Sequence, residues 1–141
     1  MSSWAELCRE VKSRAAGRCE YCRMHESLQG ATFHVEHIVP RACGGTSISA
    51  NLALACPACN LSKSDRVDGL DPVTNQRVRI FNPRIDDWSQ HFRWDGFEVV
   101  GQTPEGRATI SLLDLNEARR LLIRQAEALF GLFPGCEEHL P

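Results

Sequence analysis

His34–Lys63 reads HVEHIVPRACGGTSISANLALACPACNLSK, and this stretch decides how the chain is understood. It begins with His34, Glu36 and His37 in an apolar segment and closes on Cys56 and Cys59, spaced C-x-x-C, with Asn60 directly after. Upstream, RCEYC supplies a second pair, Cys19 and Cys22. Two thiolate pairs separated by a strand-like region are the spacing of a four-cysteine zinc site. Such an ion would tie the N-terminal region to the helix that starts at Cys56.

Working outward, Ala31 to Val39 is rich in branched and aromatic residues and reads as a strand that Pro40 ends. Arg41 to Thr46 is a loop in which Gly44 and Gly45 allow tight backbone turns. Leu52 to Ala55 is a second apolar segment, antiparallel to the first. Cys56-Pro57 opens a helix, since proline suits a first helical turn, and that helix fades near Asp65 to Gly69.

Before it, residues 2 to 16 read as a helix. Ser3 and Glu6 form a capping box, Trp4, Leu7, Cys8, Val11 and Ala15 form one apolar face, and Gly17 stops it. Beyond the centre, residues 70 to 113 are expected to be strand and loop. DPVTNQRV is a turn leading into a short strand with Val78, Ile80 and Phe81. Trp88, Phe92, Trp94 and Phe97 suit a satellite core better than a base-stacking platform. Phe97 to Gly101 and Arg107 to Leu112 are expected to pair as a hairpin around TPEG. A last helix, capped by Asp114 or Asn116 and ended by Gly131, would bury Ala118, Leu121, Leu122, Ala126, Leu129 and Phe130, with a dimer face as the alternative. Residues 134 to 141 read as a tail.

The 141 residues suit a single domain over 1–141, divided into a core at 18–66, an extension at 70–113 and a helix at 114–131. The fold class is α+β: two antiparallel strands and a helix braced by zinc, with an N-terminal helix, a small hairpin region and a terminal helix. Seven cysteines cannot all pair, and Cys8, Cys43 and Cys136 are scattered, so the usage favours metal over disulfides in a reducing compartment. No apolar run reaches membrane length and no signal core opens the chain, which points to the cytoplasm. The net charge of -2 excludes a bulk basic footprint for nucleic acid. Any such contact must be local. His25 and His139 read as uninvolved.

Glu36 and His37 are neighbours, and an ideal strand would send them to opposite faces. If the backbone bends there, Glu36 and Asn60 can meet as oxygen ligands of a hard ion, Mg²⁺ or Mn²⁺. An imidazole beside it would titrate near neutrality and could take a proton from water. One metal and one general base suffice for phosphodiester hydrolysis.

These motifs, in this order from Arg18 to Arg66, resemble the HNH endonucleases of the cysteine-rich, zinc-stabilised type. The resemblance implies the ββα-metal fold and a double-stranded DNA substrate. It implies that His37 is the general base, that Asn51 holds the loop orienting it, and that Glu36 and Asn60 bind the catalytic ion. His34 is then an extra ligand, a partner behind the ligands, or a plain polar position. Lys63 and Arg41 either touch phosphates or are solvated charges. The resemblance says little about residues 70 to 141, where Arg77, Arg79, Arg84 and Arg93 could extend a DNA surface but Asp86, Asp87 and Asp95 dilute it. The rival reading keeps the fold without catalysis, as a zinc-dependent nucleic-acid-binding module. A redox or zinc-storage protein would leave His37, Asn51 and Asn60 unexplained. The oligomeric state is not legible.

Overall fold

The computed structural model describes residues 2–135, so Cys136, His139 and most of the expected tail lie outside them. The elements run α1 (Trp4–Ala15), β1 (His34–His37), β2 (Leu52–Ala55), α2 (Pro57–Lys63), β3 (Asp68–Leu70), β4 (Arg77–Arg79), α3 (Trp88–His91), β5 (Phe92–Asp95), β6 (Glu98–Gly101), α4 (Pro104–Leu113) and α5 (Ala118–Leu129). The strands form three antiparallel pairs, β1–β2, β3–β4 and β5–β6. No helix among the described residues is long and apolar enough to cross a membrane.

The α1 helix starts as expected. The Ser3 hydroxyl accepts from the Glu6 amide at 3.1 Å, and the Glu6 carboxylate accepts from the Ser3 amide at 3.3 Å. It ends one residue earlier than Gly17, on Ala16 in the left-handed region at φ 54°. Its buried face is narrow: Leu7 and Val11 are inside, Cys8 is half-buried and Trp4 is 48% exposed.

Next, β1 and β2 pair in the register His34–Ala55, Val35–Leu54, Glu36–Ala53 and His37–Leu52. Every residue of β2 is buried, because α1 covers one face and α2 follows directly on. Cys56 caps α2 with its sulfur, which accepts from the Cys59 amide at 3.4 Å. The strands and α2 form the expected ββα unit around the cysteines. Its core is continuous with Phe81, Trp88, Phe92, Val99, Leu113 and Leu115.

Four expectations are corrected. First, Pro104–Leu113 is a helix and not the second strand of a hairpin. Thr103 caps it by accepting from the Gly106 amide at 3.0 Å, with Pro104 in the first turn. The TPEG sequence is a helix start and not a turn. The hairpin of this region joins β5 to β6 around Gly96, where φ is 62°. Second, the aromatic group is no satellite: Trp88 and Phe92 lie in the main core, and the Trp88 indole donates to the Tyr21 carbonyl at 3.2 Å. Third, α5 turns its charges inward. Arg120, Arg124 and Glu127 are buried, while Leu122, Leu129 and Phe130 are 64%, 85% and 69% exposed. The inner face of α5 meets backbone carbonyls and a sulfur, which need N–H donors: Arg124 donates to the Phe97 and Leu115 carbonyls at 3.0 and 2.7 Å. Its cap is Glu117; Asn116 instead holds Val99 through both backbone groups at 2.8 Å, and Asp114 ends α4. Fourth, β3 was not foreseen. It pairs with a strand shorter than expected, since Ile80 and Phe81 follow β4 and are buried individually.

Candidate metal centre and active site

The ligand atoms of Cys19, Cys22, Cys56 and Cys59 all lie within 4.8 Å of one another, and all four residues are buried. The Cys22 and Cys56 sulfurs are 3.8 Å apart. Four sulfurs at about 2.3 Å from a central zinc in a tetrahedron are separated by about 3.8 Å, so the cluster fits that ion. The knuckle, the turn over residues 18 to 23 that carries Cys19 and Cys22, is held by the Cys19 amide donating to the Met24 carbonyl and the Arg23 amide donating to the Cys19 carbonyl, each at 2.9 Å. The Glu20 amide adds a bond to the Leu54 carbonyl at 2.9 Å, fixing the knuckle to β2.

A partner of this cluster that the sequence did not reveal is Arg120. Its guanidinium donates to the Cys59 sulfur at 3.1 Å and to the Leu113 carbonyl at 2.8 Å. Burial opposes its charge, but the Cys59 and Cys22 sulfurs outweigh that and hold its pKa above the usual value.

Glu36, His37, Asn60 and Arg41 line one open depression of about 390 Å³, together with Val35, Pro40 and Ser64. The pairing of β1 with β2 runs unbroken through His37, so no bulge brings the neighbouring Glu36 and His37 to the same depression. The side chain that anchors this end of β1 is Lys63. It is 1% exposed, and its ammonium donates to the Glu36 carboxylate at 3.2 Å and to the His37 and Ile38 carbonyls at 3.3 and 2.8 Å. This corrects the expectation of a phosphate contact, because Lys63 lies beneath the depression and not on its surface. The other carboxylate oxygen of Glu36 accepts from the Tyr21 hydroxyl. Burial pushes the Glu36 carboxyl pKa up, and Lys63 and Tyr21 counter only part of that.

His37 is fixed on two sides. Its Nε2 lies 2.8 Å from the Ser47 hydroxyl, and its ring is near-parallel to the Trp4 indole, 11° off with centroids 5.9 Å apart. Burial, then Arg41 and Lys63, lowers its pKa from the ordinary histidine value. Asn51 clamps the loop that follows β1: its Oδ1 accepts from the Val39 amide at 2.9 Å, and its Nδ2 donates to the Val39 and Thr46 carbonyls at 3.0 and 2.9 Å. Gly45 closes that loop where a Cβ would sit 1.7 Å from the Val39 oxygen.

The remaining expected residues divide. Arg41 is exposed on the rim. His34 is exposed at the start of β1 and is not among the residues lining the depression. Arg77, Arg79 and Arg84 pair with Asp68, Asp86 and Glu20, and the first two stay exposed, as does Arg93.

Residues 19–66 match the HNH endonuclease family. The HNH segment spans the knuckle, β1, β2 and α2, and it contains both the thiolate cluster and the depression. The match points to nucleic-acid chemistry. The Septu protein PtuB of Bacillus thuringiensis is 26% identical over 107 residues, which is 74% of this chain and 39% of that protein. The chain thus spans well under half the length of this relative. No solved structure matches. Outside the HNH segment lie Trp4, beside His37, and Arg120, beside Cys59.

Proposed function

We propose that this chain is a metal-dependent HNH endonuclease that hydrolyses phosphodiester bonds of double-stranded DNA in the cytoplasm, by nicking or by cutting both strands. The observation that carries the reading is the shared depression: Glu36, His37, Arg41 and Asn60 line one open space. Glu36 and Asn60 would hold Mg²⁺ or Mn²⁺. Oxygen donors suit such ions, and the Glu36 carboxylate keeps acceptor capacity beyond its bonds to Tyr21 and Lys63. A bound ion would neutralise charge on the scissile phosphate and the leaving oxygen.

The chain's own groups do the rest. His37 is the general base. With Nε2–H donating to the Ser47 hydroxyl, Nδ1 is the nitrogen left free to take a proton from water. Its lowered pKa keeps it unprotonated near neutral pH. Asn51 holds the loop that carries Ser47's neighbour Thr46, and so supports the imidazole indirectly. Arg41 on the rim binds a phosphate oxygen, which positions the strand without reading its sequence.

One observation favours the rival binding module: Glu36 already has a buried ammonium partner in Lys63. Incubating supercoiled plasmid with the protein, across Mg²⁺ and Mn²⁺ and with chelator, separates the two. The nuclease reading expects chelator-sensitive nicking, and a loss of at least about 100-fold in His37→Ala with the thermal midpoint kept. Retention of DNA without nicking under any of these ions would favour the binding module.

A further inference from the structure

The Glu36 carboxylate is held from both sides by groups that issue from the thiolate cluster. Tyr21 stands between Cys19 and Cys22, is 1% exposed and donates its hydroxyl to Glu36 Oε1. Lys63 is the last residue of α2, the helix that opens on Cys56 and contains Cys59, and it donates to Oε2. The phenol has little freedom. The Tyr21 carbonyl accepts from the Trp88 indole at 3.2 Å, the Phe81 ring meets the Tyr21 ring edge-on at 6.5 Å, and the flanking Glu20 is bonded to Leu54 through its amide and its carboxylate, each at 2.9 Å. The hydroxyl is thus held in place by the same backbone turn that carries Cys19 and Cys22.

We propose that Tyr21 is a positioning residue, whose hydroxyl transmits the geometry of the thiolate cluster to the carboxylate that receives the catalytic cation. This rests on the nuclease reading of the depression. The structural zinc site and the reaction site then form one mechanical unit, and removing the first ion loosens the second site before the fold is lost. Partners behind a metal ligand fix the orientation of that ligand, and their loss costs about 10- to 100-fold in metal affinity or activity.

The test uses Tyr21→Phe in the full chain. Mn²⁺ affinity is read by electron paramagnetic resonance of the free ion, alongside plasmid nicking, zinc content and thermal midpoint. The expected result is Mn²⁺ affinity weaker by about 10- to 100-fold at unchanged zinc content. Affinity and nicking within about twofold of wild type would overturn the proposal. The chain has one tyrosine, so 3-fluorotyrosine reports this position alone without altering the fold. Its ¹⁹F resonance is expected to shift when Mg²⁺ is titrated into the zinc-loaded protein; a resonance that stays fixed at Mg²⁺ levels supporting nicking would also overturn the proposal, even if the Phe variant fails to fold. Wild type that neither binds Mn²⁺ nor nicks would remove the nuclease reading and this proposal together. Wild type that does both, beside an unaltered Phe variant, would remove this proposal alone.

Discussion

Replacing Arg120 with Met is expected to destabilise the protein and loosen zinc together. The guanidinium is 4% exposed and makes two bonds, to the Cys59 sulfur at 3.1 Å and the Leu113 carbonyl at 2.8 Å. Four thiolates around one divalent ion retain a double negative charge, and a buried net charge without a counterion is costly. Methionine keeps the apolar stem but neither donor. Losing a bond to a charged partner costs about 1.5–3 kcal/mol, and an unsatisfied buried carbonyl adds about 1–3 kcal/mol. The total agrees with the roughly 3–5 kcal/mol seen when one member of a buried ion pair is removed. Against a whole stability of about 5–15 kcal/mol that is a large fraction. At about 3 °C per kcal/mol for a chain near this size, the thermal midpoint should fall by about 10–15 °C. Differential scanning calorimetry reads the midpoint, and a chromogenic chelator reads the rate of zinc release. Arg119→Met is the control, since Arg119 is exposed and its loss should stay within about 0.5 kcal/mol. A midpoint for Arg120→Met within about 2 °C of the control, with equal zinc release, would refute the reasoning.

Two further substitutions test other parts of the structure. Gly45→Ala would place a Cβ 1.7 Å from the Val39 oxygen and 2.9 Å from Asn51 Nδ2; nicking should fall at least about tenfold with zinc content unchanged, at a cost of about 1–3 kcal/mol, and full nicking would show that the clamped loop does not support the imidazole. Asp71→Asn should flatten the acid limb of the stability profile, read as thermal midpoint against pH beside wild type. The Arg107 guanidinium grips Asp71 at 2.9 and 2.8 Å and holds its carboxyl well below the usual carboxylate range. That stabilisation is present above the unfolded pKa of about 3.9 and is lost as pH falls towards the folded value. Parallel acid limbs in the two proteins would count against the pair.

The parts of the fold that were legible in the sequence are those whose cause is local. Ser3 and Glu6 cap α1 because they are three residues apart, and Leu52–Ala55 was bounded by Asn51 and Cys56 on either side. The four cysteines were legible for the same reason: the spacing itself limits what they can do. What stayed hidden depends on distant partners. Lys63 reads as a surface charge at the end of a helix until the carbonyls of His37 and Ile38 are seen beneath it. Arg120 is 61 positions from the Cys59 sulfur it serves. Two misreadings did have local signals. Thr103-Pro104 repeats the cap-then-proline pattern of Cys56-Pro57, which was read as a helix start there and as a turn here. In α5, Arg120, Arg124 and Glu127 are spaced as a helical stripe just as the leucines are. Hydropathy alone chose the leucines, but the face that goes inward is set by what it meets.

The distribution of charge bears on how such a chain could act on nucleic acid. Its 16 basic residues are offset by 18 acidic ones. Arg77, Arg79, Arg84 and Arg107 are committed to Asp68, Asp86, Glu20 and Asp71, while Lys63, Arg120 and Arg124 are turned inward. Binding a duplex by counterion release needs many phosphate contacts, and Arg9, Lys12, Arg14, Arg41, Arg66, Arg93 and Arg119 are the exposed basic residues outside these pairs. Of these, Arg41 lines the depression. Under the nuclease reading, Arg41 and a divalent ion add local attraction at the bond that is cut. The alignment of Glu36 under that reading is set by side chains that do not line the depression: Tyr21 and Lys63, each 1% exposed, hold its two carboxylate oxygens.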